Sequence, residues 1–306
     1  MQKRVLILSY ADDYYALAIQ ALLKNHGSVA DIVNAALFPD VISLSHQGAD
    51  FRHIMIDGKR LADYHSIWSR RSGPSQVNSE LPNIEEARFA VRESMDALWG
   101  ALYAAQLPIH NEPEAERKAN FKPYQLRLAH TCGLKIPDTL ITTSPDDVLM
   151  FREKHHQIIY KGFSGLRSVV LDTRPLEDKD LPELWRLRYA PAIFQEYIEH
   201  GKEYRVTVFE GDAFAAEIRL SDEEARYDWR IDANYGVIET TVPTDIQAKL
   251  IDFCRRLNLN SGSIDLREIP EGEIYFLEIN PSGQFMFLDV YAGMEVGNRF
   301  CQMLLQ

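Results

Sequence analysis

Two segments near the carboxyl end of the sequence restrict most strictly how this chain can fold. Residues 263–269 and 273–280 each alternate apolar and polar side chains, and a Pro-Glu-Gly sequence separates them. This pattern predicts a β-hairpin. A turn that includes Gly272, with two or four residues in the loop, places Asp265 opposite Glu278, whereas a loop of odd length would shift this register.

The two faces of this hairpin predict different roles. One face carries apolar side chains that can pack on a core: Ile264, Leu266, Leu277 and Ile279. The other face carries Asp265, Glu278 and Asn280. Two carboxylates that face each other repel and destabilise a sheet unless a cation lies between them. Because carboxylate and amide oxygens are ligands that Mg²⁺ takes, these three side chains are candidate metal ligands. The alternative is a solvated acidic face whose charge Arg267 offsets.

A glycine-containing segment in the middle of the chain is a candidate phosphate-binding loop. Residues 158–161 are strand-like and end at Lys161, and Gly162, Ser164 and Gly165 follow. Glycines let backbone N–H groups approach phosphate oxygens, and a lysine adds a positive charge. The segment lacks the glycine patterns of the P-loop, of dinucleotide-binding folds and of hydrolase nucleophile turns. An ordinary surface turn with a solvated lysine is the alternative.

A polar connection between two strands is a candidate nucleoside-binding segment. Residues 193–198 are strand-like, and Glu203 lies just before the next strand, which begins near Tyr204. Such a connection can offer backbone groups to a purine edge, and a carboxylate such as Glu196 or Glu203 to ribose hydroxyls. The alternative is an ordinary hairpin with charged loop residues.

The remaining pattern predicts two structural parts. Up to residue 112, apolar strand-like runs alternate with helical patterns, of which the longest, residues 84–107, ends at Pro108. This order predicts an open-sheet α/β domain over residues 1–112. Beyond it, one helix over residues 113–132 precedes runs of antiparallel strands with helices beside them, which predicts an α+β unit.

Composition and charge exclude several classes of protein. Hydrophobic residues make up 46% and charged residues 25% of the chain, as in globular rather than disordered proteins. A net charge of −12 offers no basic surplus for coating nucleic acid, so we expect no nucleic-acid partner. No apolar run reaches the roughly 18 residues of a membrane span, so we expect no membrane partner. Three distant cysteines, Cys132, Cys254 and Cys301, favour a reducing, cytoplasmic location.

Together these segments resemble the ATP-grasp ligases over residues 111–282. The resemblance implies an ATP-grasp fold, an α+β unit in which two lobes clamp ATP, behind the α/β N-terminal domain. It implies a central subdomain over residues 113–192 and a C-terminal subdomain, with the metal site, over residues 193–306.

The resemblance also implies a role for each candidate residue. Contacts to the phosphates of ATP would come from Lys122, Lys161, Gly162, Ser164 and Gly165. The adenine-binding connection would be Gln195, Glu196, Tyr197 and Ile198, and the ribose-binding acid would be Glu203. The Mg²⁺ ligands would be Asp265, Glu278 and Asn280, of which the last two lie in a Glu-Ile-Asn-Pro sequence.

Among ATP-grasp proteins, the sequence resembles the microviridin-type (graspetide) peptide cyclases. The similar segments include Ile67-Trp-Ser-Arg-Arg71, Asn111-Glu-Pro113, Asp228-Trp-Arg230 and Leu277-Glu-Ile-Asn-Pro-Ser-Gly-Gln284. His110 and Phe121 depart from the family pattern, although neither removes a chemical group that the reaction needs.

This resemblance implies a reaction and its partners. ATP would phosphorylate a side-chain carboxylate of a ribosomally made precursor peptide, with leader and core segments, and an amine or hydroxyl would then displace phosphate. Arg230 is the candidate for holding the γ-phosphate or acyl-phosphate oxygens, or else a surface arginine paired with Asp228. A homodimer is also implied. Two alternatives remain: a ligase of the same fold that joins free amino acids or adds glutamate to an acceptor, and a non-catalytic nucleotide-binding regulator.

Overall fold

The computed structural model describes residues 2–48, 53–71, 73, 76, 78–163 and 173–306. Its amino-terminal part is an α/β layer. Its elements are β1 (Arg4–Leu8), α1 (Tyr14–Asn25), β2 (Val29–Val33), β3 (Leu44–His46), β4 (Ile54–Ile56), β5 (Lys59–Arg60), β6 (Ser66–Ser69), α2 (Ile84–Ala104) and β7 (Ile109–His110). A parallel sheet has the strand order β2-β1-β6-β7, and β3, β4 and β5 form a small antiparallel sheet.

Local sequence accounts for the ends of these helices. Asp13 precedes α1, and its carboxylate accepts a hydrogen bond from the backbone N–H of Tyr15 at 3.0 Å. Helix α2 ends at Ala104, three residues earlier than the pattern predicts. Gln106 adopts a left-handed conformation, with φ of 54°, and turns the chain before Pro108. No helix in the described part of the chain is both long and apolar enough to cross a membrane.

The middle of the chain contains two short helices where the sequence predicted one. Its elements are α3 (Pro113–Ala119), α4 (Lys122–Thr131), β8 (Thr139–Thr142), α5 (Pro145–Lys154), β9 (Ile158–Lys161), β10 (Arg174–Pro175), a 3₁₀ helix (Asp178–Arg188) and β11 (Ala192–Glu196). The predicted single helix over residues 113–132 is wrong, because Pro123 has no N–H to donate and its ring fits only the first turn of a helix. The break makes Lys122 the first residue of α4.

The central sheet is antiparallel, with the strand order β10-β9-β11-β8. Phe194 and Ile158 point to the face that packs on α5 and on the 3₁₀ helix. Cross-strand partners share a face, so the opposite face carries Lys161 and Ile193, which are paired, together with Gln195.

The carboxyl-terminal part is built on a five-stranded antiparallel sheet. Its elements are β12 (Lys202–Phe209), β13 (Asp212–Arg219), β14 (Gly236–Thr240), α6 (Thr244–Arg256), β15 (Ser261–Glu268), β16 (Ile274–Asn280), α7 (Met286–Ala292) and α8 (Val296–Leu304). The strand order is β14-β13-β12-β15-β16. Helix α6 covers one face, whereas α7 and α8 share a core with the amino-terminal sheet, where the rings of Trp68 and Phe300 lie 4.8 Å apart.

The hairpin of β15 and β16 has the predicted register at its functional end but a different loop. Asp265 lies opposite Glu278. The N–H of Ile269 donates to the carbonyl of Glu273, which leaves three residues in the loop, and not two or four. An extra residue, Leu277, forms a bulge in β16 and restores the register beyond it.

The bulge also changes which side chain packs in the core. Beyond it, Leu266 pairs with Phe276, and Phe276 is buried in the hydrophobic core where the sequence predicted Leu277. Leu277 itself is half-buried. The predicted apolar face is therefore correct for Ile264, Leu266 and Ile279 and wrong for Leu277.

This difference predicts unequal effects of truncating the two neighbours. Phe276→Ala should lower the free energy of unfolding by about 3–5 kcal/mol, because it leaves a cavity against Phe253 and Leu266. Leu277→Ala should lower it by less than about 1.5 kcal/mol, since a half-buried side chain leaves little cavity. Urea unfolding of both variants measures the difference, and a larger loss for Leu277→Ala would contradict the bulge.

Candidate functional site

The two predicted carboxylate ligands lie side by side on the face of the carboxyl-terminal sheet that α6 does not cover. Each has a cationic partner. Arg205, on β12, donates two hydrogen bonds to Asp265, at 2.8 and 2.9 Å. Lys122, at the start of α4, donates to Glu278 Oε2 at 2.9 Å. Each of the two opposed carboxylates is thus paired with a cation from another element, and the solvated acidic face is not what the structure shows.

Burial and neighbouring charges act differently on these two carboxyl groups. Burial raises the pKa of Asp265, against the opposing effect of Arg205. Burial acts in the same direction on Glu278, but Lys122 and Lys161 outweigh it and lower the pKa of Glu278 to about 2. Glu278 is therefore ionised at neutral pH, and the site has a negative centre surrounded by positive charge.

Lys161 and Arg230 belong to the same cluster. Burial lowers the pKa of the Lys161 amine, and Glu278, Lys122 and Arg230 all contribute to the field at this amine. Arg230 makes two hydrogen bonds with the buried carboxylate of Asp228, at 2.6 and 2.7 Å, and these bonds raise the pKa of the guanidinium. Three predicted phosphate-binding cations therefore interact with the charge of one predicted metal ligand, Glu278, and Lys122 contacts it directly.

The predicted adenine-binding connection leaves β11 next to this cluster. Gln195 Nε2 donates to Thr139 Oγ1 at 2.9 Å, but its buried Oε1 has no hydrogen-bond partner among the described residues. The Glu196 side chain points to the other face and accepts from the N–H of Asp138 at 2.7 Å. The connection itself continues the sheet, because the N–H of Tyr197 donates to the carbonyl of Gln157 at 2.9 Å.

The predicted ribose-binding acid is buried and already paired. Glu203 accepts hydrogen bonds from Nε and Nη2 of Arg267, the first at 2.6 Å. Arg267 also donates to the carbonyl of Ile198 at 3.0 Å, so it ties the connection to the sheet. Burial raises the pKa of Glu203 to about 7. Arg267 thus offsets the charge of Glu203 and not that of the Asp265–Glu278 pair, which the alternative of a solvated acidic face required.

The structure gives less detail on the remaining predicted site residues, Asn280, Gly162, Ser164 and Gly165. Asn280 is exposed and lies opposite Ser263 in the hairpin. Gly162 follows β9 directly. Ser164 and Gly165 lie outside the described residues.

Two residues of the site escaped the sequence analysis. Arg205 was not expected, and its only signal in the sequence is a charged residue inside the apolar strand β12. Gln125 on α4 donates to the carbonyl of Ile279 at 3.0 Å and accepts from the N–H of Ile279 at 3.1 Å. Neither contact could be found without knowing how distant strands and helices pair.

Comparison with known proteins relates this geometry to solved structures. The chain matches a RiPP-associated ATP-grasp ligase of Chryseobacterium gregarium, solved with ADP and a leader and core peptide, at 28% identity and a TM-score of 0.88 over 100% of this chain and 97% of that one. It also matches the macrocyclase MdnC of Microcystis aeruginosa MRC, solved with the precursor peptide MdnA. That match has 25% identity and a TM-score of 0.85 over 99% of both chains.

A more distant structure shares the fold alone. A RimK-domain ATP-grasp protein of Sphaerobacter thermophilus DSM 20745 is 14% identical, with a TM-score of 0.64 over 99% of this chain and 100% of that one. No family model matches the sequence, and neither does any curated protein.

The chain therefore has the ATP-grasp fold, as the order of its motifs predicted. Of the matches above, the two at 25% identity or more are a RiPP-associated ATP-grasp ligase and a macrocyclase, and the chain is similar to both over its full length.

Proposed function

We propose that this protein is an ATP-dependent ligase that crosslinks a ribosomally made precursor peptide. It activates a side-chain carboxylate of the peptide as an acyl phosphate and joins it to a side-chain amine or hydroxyl, forming an ω-amide or ω-ester. The observation that carries the proposal is the hydrogen bond from Lys122 to Glu278, a carboxylate whose charge also interacts with Lys161 and Arg230, in a chain that matches two peptide-bound enzymes over its whole length.

The residues present suit a hard divalent cation. Asp265, Glu278 and Asn280 offer only oxygen donors. No group of three or more Asp, Glu, His or Cys side chains in the described ranges could hold a metal ion, so nucleotide oxygens and water would complete the coordination. Bound Mg²⁺ would neutralise the β- and γ-phosphates of ATP and replace the cations that now pair with the carboxylates.

The residues present also suit a nucleotide. Lys122 and Lys161 would contact the phosphates, together with the loop that contains Gly162, Ser164 and Gly165. The unpartnered Oε1 of Gln195 is a buried acceptor, and the exocyclic amine of adenine is a donor of the matching kind. Backbone groups of Glu196, Tyr197 and Ile198 would line the adenine edge, and Glu203 would accept from ribose hydroxyls.

The chemistry requires positioning rather than a protein nucleophile. The peptide carboxylate attacks the γ-phosphorus, and ADP leaves; the amine or hydroxyl then attacks the acyl carbon, the C–O bond to the phosphoryl group breaks, and phosphate leaves with the proton of the attacking group. Arg230 would hold oxygens of the transferred phosphoryl group, because a guanidinium can donate two parallel hydrogen bonds. Its present partner, Asp228, keeps the side chain oriented.

Three further parts of the proposal concern organisation and surroundings. We place the N-terminal domain at residues 1–112, the central subdomain at 113–192 and the carboxyl-terminal subdomain at 193–306. We also propose a homodimer and a cytoplasmic location; the three free cysteines support the location, since a reducing compartment keeps thiols unpaired.

Mass spectrometry tests the proposed reaction. The protein, ATP, Mg²⁺ and a peptide encoded near its gene should yield a product lighter by one water for each bond formed. Replacing the Asp or Glu whose carboxylate is activated with Asn or Gln should prevent this loss. If no encoded peptide loses water while free amino acids stimulate ADP formation, the protein instead joins free amino acids.

A further inference from the structure

We propose that Arg70 and Asn111 are positioning residues for the turn, residues 280–283, that follows the predicted metal ligand Glu278. The two side chains come from the segments that follow β6 and β7 in the amino-terminal layer. The inference rests on the proposed function, and it gives a role to two sequence segments, residues 67–71 and 111–113, that the reaction itself does not use.

Arg70 holds the turn by one hydrogen bond from a buried guanidinium. Its Nη1 donates to the carbonyl of Ser282 at 2.6 Å, and only 5% of the residue is exposed. Its Nε lies 3.5 Å from Asp13 Oδ2, and neither Nε nor Nη2 has a hydrogen-bond partner among the described residues. The ion pair with buried Asp13 and the contact with the Tyr15 ring, 5.0 Å from the ring centroid, hold the guanidinium beside α1, and its bond to Ser282 links that position to the turn.

Asn111 holds the same turn at the neighbouring carbonyl. Its Nδ2 donates to the carbonyl of Pro281 and to that of Ser261, both at 2.9 Å. Its Oδ1 accepts from the N–H groups of Asn260 and Ser261, both at 3.0 Å. One side chain therefore ties the start of β15 to the turn that follows β16.

The local geometry leaves this turn little freedom. Gln125 fixes the backbone of Ile279, one residue before Asn280. A Cβ at Gly283 would lie 2.3 Å from Cβ of Ser263, so the turn approaches β15 more closely than any other residue allows. Side chains that hold the backbone beside a metal ligand set its orientation, and their loss commonly weakens metal binding by about 10–100-fold.

The edge of the sheet that supplies these residues supports the assignment. In open α/β sheets, ligands usually bind at the carboxyl ends of the strands. Here the segments after β6 and β7 contact the predicted metal turn, so the amino-terminal layer acts on the reaction through the geometry of that turn.

Calorimetric titration with ADP tests this role, once with excess Mg²⁺ and once with EDTA. The ratio of the dissociation constant of ADP in EDTA to that in Mg²⁺ gives the factor by which Mg²⁺ tightens ADP binding. In Arg70→Met this factor should fall about tenfold. The affinity for ADP in EDTA should stay within about twofold, whereas the melting temperature should fall, because the buried carboxylate of Asp13 loses an ion-pair partner. A purely structural arginine would lower the melting temperature and leave the Mg²⁺ factor intact, and that result would overturn the proposal.

A second variant and a control separate the outcomes. Asn111 has a φ of 47°, so Asn111→Gly keeps the backbone unstrained while it removes the side-chain bonds, and it should reduce the Mg²⁺ factor in the same way. Arg60→Met, an exposed arginine on β5, should change nothing. If the wild-type protein binds ADP in neither buffer, the proposed function itself is contradicted. If the wild-type protein binds ADP and Mg²⁺ tightens this binding by the same factor in both variants as in the wild type, only the positioning role is contradicted.

Discussion

Replacing Glu278 with Gln should reduce ADP formation and peptide crosslinking by at least about 10³-fold. A charged metal ligand is lost, and the β- and γ-phosphates lose the cation that neutralises their developing charge. Lys122 and Lys161 also lose the carboxylate that lowers their mutual repulsion, so the free energy of unfolding should fall by about 1–3 kcal/mol. That loss is too small to unfold a domain of ordinary stability.

Asp265→Asn should have an equal effect on activity. Asparagine keeps an oxygen that can accept from Arg205, so the fold should again persist with a loss of about 1–3 kcal/mol. Rates of ADP release, and the folded fraction from circular dichroism, should be measured on the same preparations. Full activity in either folded variant would remove the metal assignment.

Glu268 provides a matched control on the same hairpin. Its carboxylate also accepts from a lysine, Lys202, at 2.8 Å, but it lies at the loop end of β15, away from Glu278. Glu268→Gln should therefore retain wild-type turnover. A comparable loss in this variant would show that any change of charge on the hairpin disturbs the enzyme.

The hairpin shows how far local pattern leads to structure. Alternation of side chains predicted the face shared by Asp265 and Glu278, and the structure has that pair. The loop length was wrong, and the pair survived because Leu277 forms a bulge that adds one residue to β16. A bulge leaves little trace in an alternating sequence, since it only changes which of two adjacent apolar residues, Phe276 or Leu277, enters the core.

Long-range pairing accounts for what the sequence could not show. Arg205 meets Asp265 only because β12 lies next to β15, although about sixty residues separate them. Arg70 meets Ser282 across 212 positions of sequence. Charge and residue type predicted that a cation or phosphate would bind at the hairpin, whereas the partners that orient its carboxylates follow from strand order, which one sequence does not specify.

Arg230 should be the second most sensitive side chain of the site. If it holds the transferred phosphoryl group, Arg230→Met should lower kcat/KM for crosslinking by about 10³-fold, as loss of a transition-state arginine does in other phosphoryl transfers. Arg230→Lys should recover part of this loss, because it restores the charge but not the two parallel donors. Affinity for ADP should change little in both, since ADP has no γ-phosphate.

Because Arg230 pairs closely with Asp228, a purely structural role for Arg230 is the competing explanation. The two roles predict different effects of Arg230→Met on the reaction rate. Asp228 is buried and loses a bidentate partner in Arg230→Met, so the melting temperature should fall in either case. Only the phosphoryl-holding role lowers the rate per folded molecule. Arg226→Met, an exposed arginine four residues earlier that stacks on Tyr227, should keep the wild-type rate. If Arg230→Met also keeps that rate and merely melts earlier, Arg230 serves only to pair with Asp228, and other groups of the site hold the oxygens of the acyl phosphate.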